Sequence, residues 1–294
     1  MNTKLKNQYL RTLGFTSVTV LTKMTIIFYD ISSTIPGKAW NPTTSKTRYV
    51  SLLLTRPRHK AHDTHLHIRF VLNYKGISYK TEWVEYPDIA EHSKKLGLKP
   101  TGKNPWDGTD YYTLPAIYDP STGKYINDTW EIAVYLEKQY PDTPSLFYNN
   151  THALQAAFLD AYNDSLASLW PFIVPPLRSI FIPRTEEYFV KTREMAFGVT
   201  FDELLPKGDR AVAEWAKLKA DLGKVDTWFG KTDPEEPFML GNKISYVDLV
   251  VVGYIRWWKT IWGENSKEWR DIASWHGGRW SNLLVALDQY TTAT

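Results

Sequence analysis

Apolar residues change their spacing once along this chain, close to Asp128. Upstream they come in short runs rich in β-branched and aromatic residues; downstream they recur at the three- and four-residue intervals of helices. Thr25 to Ile31 reads as a buried strand that ends in the polar and Gly/Pro cluster Ser32 to Gly37. Asn41 followed by Pro42 marks a helix start, because the amide can cap the helix and a first-turn Pro gives up an N–H that has no partner there. Further strands are expected at Tyr79 to Glu85, Tyr112 to Tyr118 and Lys124 to Ile126, with a short helix and a long loop between Pro87 and Gly108 and a turn at Asp119 to Gly123. After Asp128, the residues Ile132, Tyr135, Leu136 and Tyr140 share one helical face until Pro141 stops it. The stretch 142–150, rich in Pro, Asp, Thr and Asn, reads as a linker. Residues 151–294 are helical in pattern, with breaks at Pro175-Pro176, Pro183, Pro206 to Gly208, Gly230 to Pro237 and Gly277-Gly278. The fold class is therefore α/β plus all-α: a mixed βαβαββα domain over 24–141, then a helical bundle, with residues 1–23 as an appended extension.

The 294 residues suffice for two domains with ample cores. Positive and negative residues are interleaved, 35 Lys+Arg against 32 Asp+Glu, and the formal charge of +3 argues against nucleic acid as a partner. With no Cys in the chain, disulfides, thiolate metal sites and a Cys nucleophile are excluded, so any reactive thiol has to come from a substrate. No run reaches the ~20 apolar residues of a membrane span, so no membrane partner and a cytoplasmic location are expected. The run Leu13 to Leu21 is interrupted by Thr and Ser and lacks a small-residue cleavage pattern, so residues 1–23 read as an extension ahead of Met24 rather than a targeting signal. Aromatic residues make up 15% of the chain, which suits either a large aromatic core or a pocket for flat apolar ligands.

Four short motifs stand out. Leu114-Pro115 opens an expected strand, where Pro cannot donate to the ladder. An edge strand accounts for it; so does a cis peptide that turns Leu114 toward a ligand. Asp128-Thr129 opens a helix, either as ordinary caps or as a carboxylate that pairs an ammonium beside a helix N-terminus that attracts a carboxylate. Asn41 has the same two readings, a cap or a hydrogen-bond donor to a thiolate at the positive end of a helix. Ser245 and Asp248 have the spacing of a capping box with Ile244 as staple, which concerns the folding of the apolar helix behind it. His62, His65 and His67 lack neighbouring acidic or Cys ligands, and no metal site is assigned to them.

Together these residues resemble the glutathione transferase superfamily. Leu114-Pro115 matches its cis-Pro strand, Asp128-Thr129-Trp-Glu-Ile132 its glutathione motif, and Gly241 to Asp248 the capping box of its buried C-terminal helix. The stretches Thr25 to Ile31, Pro36 to Trp40, Lys80 to Ile89 and Arg184 to Glu194 are similar to the fungal FuA class, which is related to bacterial β-etherases. The likeness covers most of residues 24 to 290. It implies a thioredoxin-like first domain that binds glutathione as a substrate, with Leu114 and Pro115 at the cysteine backbone, Asp128 and Thr129 at the γ-glutamyl end, and Asn41 beside the thiolate. It further implies a helical domain that supplies the second-substrate pocket, no metal, and a homodimer. The implied activity is attack of the sulfur on aromatic or ether-type electrophiles. The alternative is a ligandin-like carrier of aromatic or phenolic compounds, for which Trp170, Phe172, Trp257, Trp258 and Trp262 are candidates, although core packing accounts for each ring singly. A third reading is a relative that kept the fold and lost catalysis.

Two features depart from the family. It places Ser, or in the omega class Cys, where this chain has Asn41, with Pro42 and Arg48 in register. An amide can donate a hydrogen bond to a thiolate but cannot become a nucleophile, so a mixed-disulfide mechanism is excluded. Second, a helix running from Pro42 through Arg48 should continue directly into Phe70 to Gly76, yet residues 49–69 intervene. We read 49–69 as a retained intron, because the codons for Arg48, Tyr49 and Val50 can spell a 5′ splice signal and Arg69 can supply the closing AG. Its removal leaves one amphipathic helix; its retention interrupts that helix beside the thiol site.

Overall fold

The computed structural model describes residues 25–40, 65–104, 106–233 and 235–291. The first domain is built on a four-stranded mixed sheet. Strand β1 (Ile26–Ile31) is an unbroken apolar run apart from Asp30, as suits a strand covered on both faces. It lies between β2 (Tyr79–Val84), which it pairs in parallel with Ile26 opposite Tyr79, and β5 (Ala116–Asp119), which it pairs antiparallel with Tyr29 opposite Ala116. β6 (Lys124–Asn127) closes the sheet as the second arm of a hairpin with β5, giving the order β2-β1-β5-β6. Helix α1 (His65–Tyr74) makes the crossover from β1 to β2 that a parallel pair requires.

Two expectations are corrected here. The third large strand covers Ala116–Asp119, not Tyr112 to Tyr118, because Pro115 has no N–H to give to a ladder and the chain bends there. The residues before it instead form a small hairpin inside what reads as a long loop, β3 (Gly102–Lys103) with β4 (Asp110–Tyr111). In addition, His65 to Arg69, placed by the sequence reading in the intervening stretch 49–69, form the first half of α1. Ile68 falls on the same buried face as Val71 and Leu72, and Arg69 reaches Asp30 of β1 in a buried ion pair at 3.0 Å. The Arg69 guanidinium also donates to Thr81 at 3.0 Å and lies over the rings of Phe28 and Trp83.

After the turn Tyr86–Asp88 come α2 (Ile89–Lys95) and, beyond the hairpin β5–β6, α3 (Thr129–Gln139). The helical domain consists of α4 (His152–Ser165), α5 (Trp170–Ile173), α6 (Pro183–Phe197), α7 (Phe201–Leu204), α8 (Gly208–Phe229), α9 (Tyr246–Trp262) and α10 (Lys267–Ala286). Helix α9 is its axis, buried continuously from Tyr246 to Ile255. Such a helix cannot solvate its first N–H groups, and neighbouring segments accept them: the Tyr246 N–H donates to the Leu146 carbonyl and the Val247 N–H to Gln155 Oε1, both at 3.1 Å, while Asp248 accepts from the N-cap Ser245 N–H at 2.8 Å and hydroxyl at 2.6 Å and from the Met239 N–H at 2.9 Å. Gly277-Gly278 breaks α10 as expected. The backbone turns left-handed from His276 to Gly278, and the His276 Nδ1 accepts a hydrogen bond from the Trp280 indole at 3.0 Å.

α1 joins the two domains. Its inner face packs on α9, where Gly253 leaves room for the His67 ring; a Cβ at that position would collide with His67 Cδ2. The far end of α1 is tied down by polar contacts. Lys75 pairs with Glu137 of α3 at 2.8 Å and donates to the Pro144 carbonyl at 3.0 Å, and the Asn73 amide donates to the Tyr290 carbonyl at 2.8 Å.

Candidate functional site

β1 is parallel to β2 and antiparallel to β5, and β5 is antiparallel to β6. The C-terminal ends of β1, β2 and β6 and the N-terminal end of β5 therefore meet at one edge of the sheet. Leu114-Pro115 leads into β5 at that edge, and Asp128 leaves β6 there, because Ala116 stands opposite Asn127. The Leu114-Pro115 peptide is cis, and Leu114 is buried. Neither the N–H nor the C=O of Leu114 is taken up by a backbone hydrogen bond among the described residues. Leu114 as a whole is covered, so a peptide backbone laid along this edge reaches these two groups only by displacing what covers them.

Asp128 answers whether its carboxylate is a cap or a ligand group. Oδ1 accepts from the Trp130 N–H at 2.9 Å and the Glu131 N–H at 3.2 Å, so it caps α3. Oδ2 receives no hydrogen bond from the described residues, and the side chain lines a cavity of about 720 Å³ between α3 and α4, shared with Thr101, Glu131 and His152. One oxygen of the carboxylate thus caps the helix, and the other is taken up by no described donor. Its backbone is left-handed, φ 72°, which a non-Gly residue adopts only where the surroundings hold it. Burial pushes the Asp128 carboxyl up to about 6, against the pull of the two N–H groups and with a further rise from the Glu131 charge. Thr129, buried, is the first residue of α3.

Asn41 lies outside the described residues. The loop that leads to it is held firmly: the Trp40 indole donates to the Ile31 carbonyl at 3.2 Å and packs edge-on against Phe181 of the helical domain, ring centroids 4.9 Å apart. Thr34 donates through its N–H at 2.8 Å and its hydroxyl at 3.0 Å to the Ile180 carbonyl.

Comparison with known proteins decides the family. Residues 66–139 match the family profile "Glutathione S-transferase, N-terminal domain", and residues 153–290 match "Glutathione S-transferase, C-terminal domain". The Glutathione S-transferase-like protein ustS of Aspergillus flavus is 32% identical over 272 residues, 85% of this chain and 88% of that protein. The chain belongs to the glutathione S-transferase family. Among solved structures, this transferase is similar to the glutathione S-transferase CsGST63524 of Ceriporiopsis subvermispora, determined in complex with glutathione (39% identity, 92% and 99% of the two chains, TM-score 0.80). It is also similar to GSTFuA3 of Phanerochaete chrysosporium (32% identity, 93% and 100%, TM-score 0.80). The likeness to the fungal FuA class drawn from the sequence agrees with these neighbours.

Within this glutathione S-transferase the aromatic candidates divide. Trp257 and Trp258 are wholly buried in α9 and belong to the core. Trp170, Phe172 and Trp262 are partly exposed, and the last two flank Trp215, with ring centroids 5.0 and 5.9 Å away. Trp215 was not singled out in the sequence because one Trp on a helix carries no local signal. Among the described residues no cluster of His, Asp or Glu is placed to hold a metal ion, and no described helix is long and apolar enough to cross a membrane. Lys80 to Ile89 and Arg184 to Glu194, two of the stretches similar to the FuA class, face each other across the domain boundary: Thr185 donates to Glu85 at 2.5 Å, Arg184 pairs with Asp88, and Arg193 donates to the Tyr86 hydroxyl.

Proposed function

We propose that this protein binds glutathione along the edge of the sheet at Leu114, Pro115, Asp128 and Thr129, and holds its sulfur as a thiolate beside Asn41. The observation that carries this reading is the pairing of Leu114, whose backbone N–H and C=O no described main-chain group engages, with an Asp128 oxygen that no described donor occupies. The first suits the cysteine main chain of the tripeptide, and the second its γ-glutamyl ammonium. The N-terminus of α3 adds partial positive charge for the neighbouring carboxylate. Sulfur then attacks an electrophilic carbon, the S–C bond forms, and the leaving group departs with its electron pair. The protein contributes position and a donor to the thiolate. Aromatic and ether-type electrophiles, including the aryl ethers of a β-etherase, are the substrate class we assign. The protein acts in the cytoplasm as a homodimer.

A second reading, carriage of aromatic or phenolic compounds with weak catalysis, is favoured by the amide at position 41 and by the half-exposed rings of Phe172, Trp215 and Trp262. Glutathione addition to a generic electrophile, set against displacement of a fluorescent hydroxylated naphthalene, separates the two. Retention on immobilised glutathione tests both, and failure of the chain to be retained refutes the reading of the site.

The division into an extension (1–23), a glutathione-binding domain (24–141), a linker (142–150) and a helical domain (151–294) is part of the same proposal, as is the origin of 49–69 in an unspliced intron. In a chain without 49–69, Arg48 precedes Phe70 and inherits the place of Arg69 against Asp30. Sequencing the mature message tests the intron; its uniform presence there defeats the idea. Glutathione retention of the shortened chain and of Asn41→Ala completes the comparison.

A further inference from the structure

The sheet edge that carries Leu114 and Asp128 also receives the C-terminal end of β1, and two serines follow that strand. Both are buried, at 7% exposure each. A hydroxyl withdrawn from water to this extent normally has a hydrogen-bond partner. Ser33 has two: it donates to the Lys38 carbonyl at 3.0 Å and accepts from the Ile35 N–H at 3.2 Å, which closes the turn behind β1. The Ser32 hydroxyl makes no hydrogen bond with any described residue.

The direction of that hydroxyl follows from the strand. The Ser32 N–H donates to the Val84 carbonyl at 3.0 Å, as the Ile26 N–H donates to the Ser78 carbonyl at 3.0 Å six residues earlier on both strands, so Ser32 extends the parallel ladder in register. Successive side chains of a strand point to opposite faces. Ser32 thus shares the face of Asp30, which meets Arg69 of α1 at 3.0 Å, and Ser33 shares the face of Tyr29, whose ring meets His92 of α2. Toward β5, the register that sets Tyr29 opposite Ala116, carried onward, puts Ile31 level with Leu114 and Ser32 level with Thr113. The ladder stops short of this level, because Pro115 has no N–H to donate. We propose that Ser32 is a further catalytic residue, whose hydroxyl donates a hydrogen bond to the sulfur of glutathione and favours its thiolate. The inference rests on the reading given under Proposed function, that the cysteine of glutathione lies along Leu114. A donor to the charged form lowers the pKa of the thiol, and Ser32 keeps its own proton throughout.

The chain has no Cys, so Ser32→Cys introduces a single thiol. Given glutathione disulfide, its thiolate attacks one sulfur, a mixed disulfide forms, and the other half leaves as glutathione. The mass of the intact chain then shows one added glutathionyl group. Ser33→Cys, equally buried but on the opposite face, is the control. The mixed disulfide forms about tenfold faster at position 32 than at 33, because the site holds the tripeptide against the first and not the second, and an excess of S-methylglutathione removes the difference. In Ser32→Ala the affinity for S-methylglutathione, which has no thiol, is unchanged. The thiol pKa of bound glutathione, read in the full chain from the ultraviolet absorbance of the thiolate across pH, rises there by about one unit, because a lost donor no longer favours the charged form. Should Ser32→Ala not fold, the two cysteine variants carry the test. A thiol pKa equal to wild type in folded Ser32→Ala, or a mixed disulfide that forms no faster at 32 than at 33, overturns the inference while leaving the glutathione site standing. Failure of the wild-type chain to bind S-methylglutathione overturns both.

Discussion

Exchanging Asp128 for Asn separates the two duties of that side chain. Asn caps helices about as well as Asp, so the Trp130 and Glu131 N–H groups keep an acceptor and α3 keeps its start. What is lost is the negative charge on Oδ2. Hydrogen bonds to charged groups contribute about 1.5 to 3 kcal/mol, so glutathione affinity should fall by roughly ten- to one-hundred-fold with little change in melting temperature. The pH dependence is sharper. In the free protein burial raises the Asp128 carboxyl to about 6, and only the ionised form pairs an ammonium. At pH 5 roughly one molecule in eleven is ionised and at pH 7 roughly ten in eleven, so affinity should rise about tenfold between these values. Titration calorimetry with S-methylglutathione avoids interference from the thiol, and the ligand's amine stays charged throughout. An Asn variant that binds as tightly as wild type at pH 7, or a wild-type affinity flat from pH 5 to 7, refutes the assignment of Asp128 to the ammonium.

Three further outcomes follow from buried polar contacts. Asp30→Asn leaves the Arg69 guanidinium buried without its charged partner and should cost about 3 to 5 kcal/mol in urea unfolding, whereas Asp30→Leu combined with Arg69→Met should cost less than either single change. Asp248→Ala strips the acceptor from the Ser245 and Met239 N–H groups at the head of α9 and should cost about 3 kcal/mol by the same assay. His276 is held below its ordinary 6.5 by burial, and its Nδ1 needs its lone pair for the Trp280 indole. The folded state therefore binds fewer protons than the unfolded one, so its contribution is complete above pH 6.5 and declines as pH falls below it; thermal melting of His276→Gln should show a shallower decline.

The parts of the fold that were legible in the sequence are those in which one residue type does one local job. A β-branched run gave β1, Ser245 with Asp248 gave the start of α9, and paired glycines gave the turn in α10. Local geometry was legible at Asp128 and at Leu114-Pro115 for the same reason: a cap and a proline act within their own turn. Where the outcome depended on distant partners, sequence reasoning missed it. The hairpin of β3 and β4 has two residues per strand and no period to detect. A lone Arg on a helix looks solvent-facing, and only the approach of Tyr86, 107 residues away, makes Arg193 part of the core. His65 to Arg69 read as an interruption because their helical role depends on Asp30 and α9, neither of which is near them in sequence. Trp257 and Trp258 illustrate the converse, since aromatic richness gave no indication of which rings lie in the core and which stay partly exposed.

The bond from Asn73 to the Tyr290 carbonyl spans 217 residues. The crossover helix therefore receives its last contact only from the far end of the chain, after nearly the whole helical domain has been made. Until then the apolar side that α1 turns toward α9 stays uncovered.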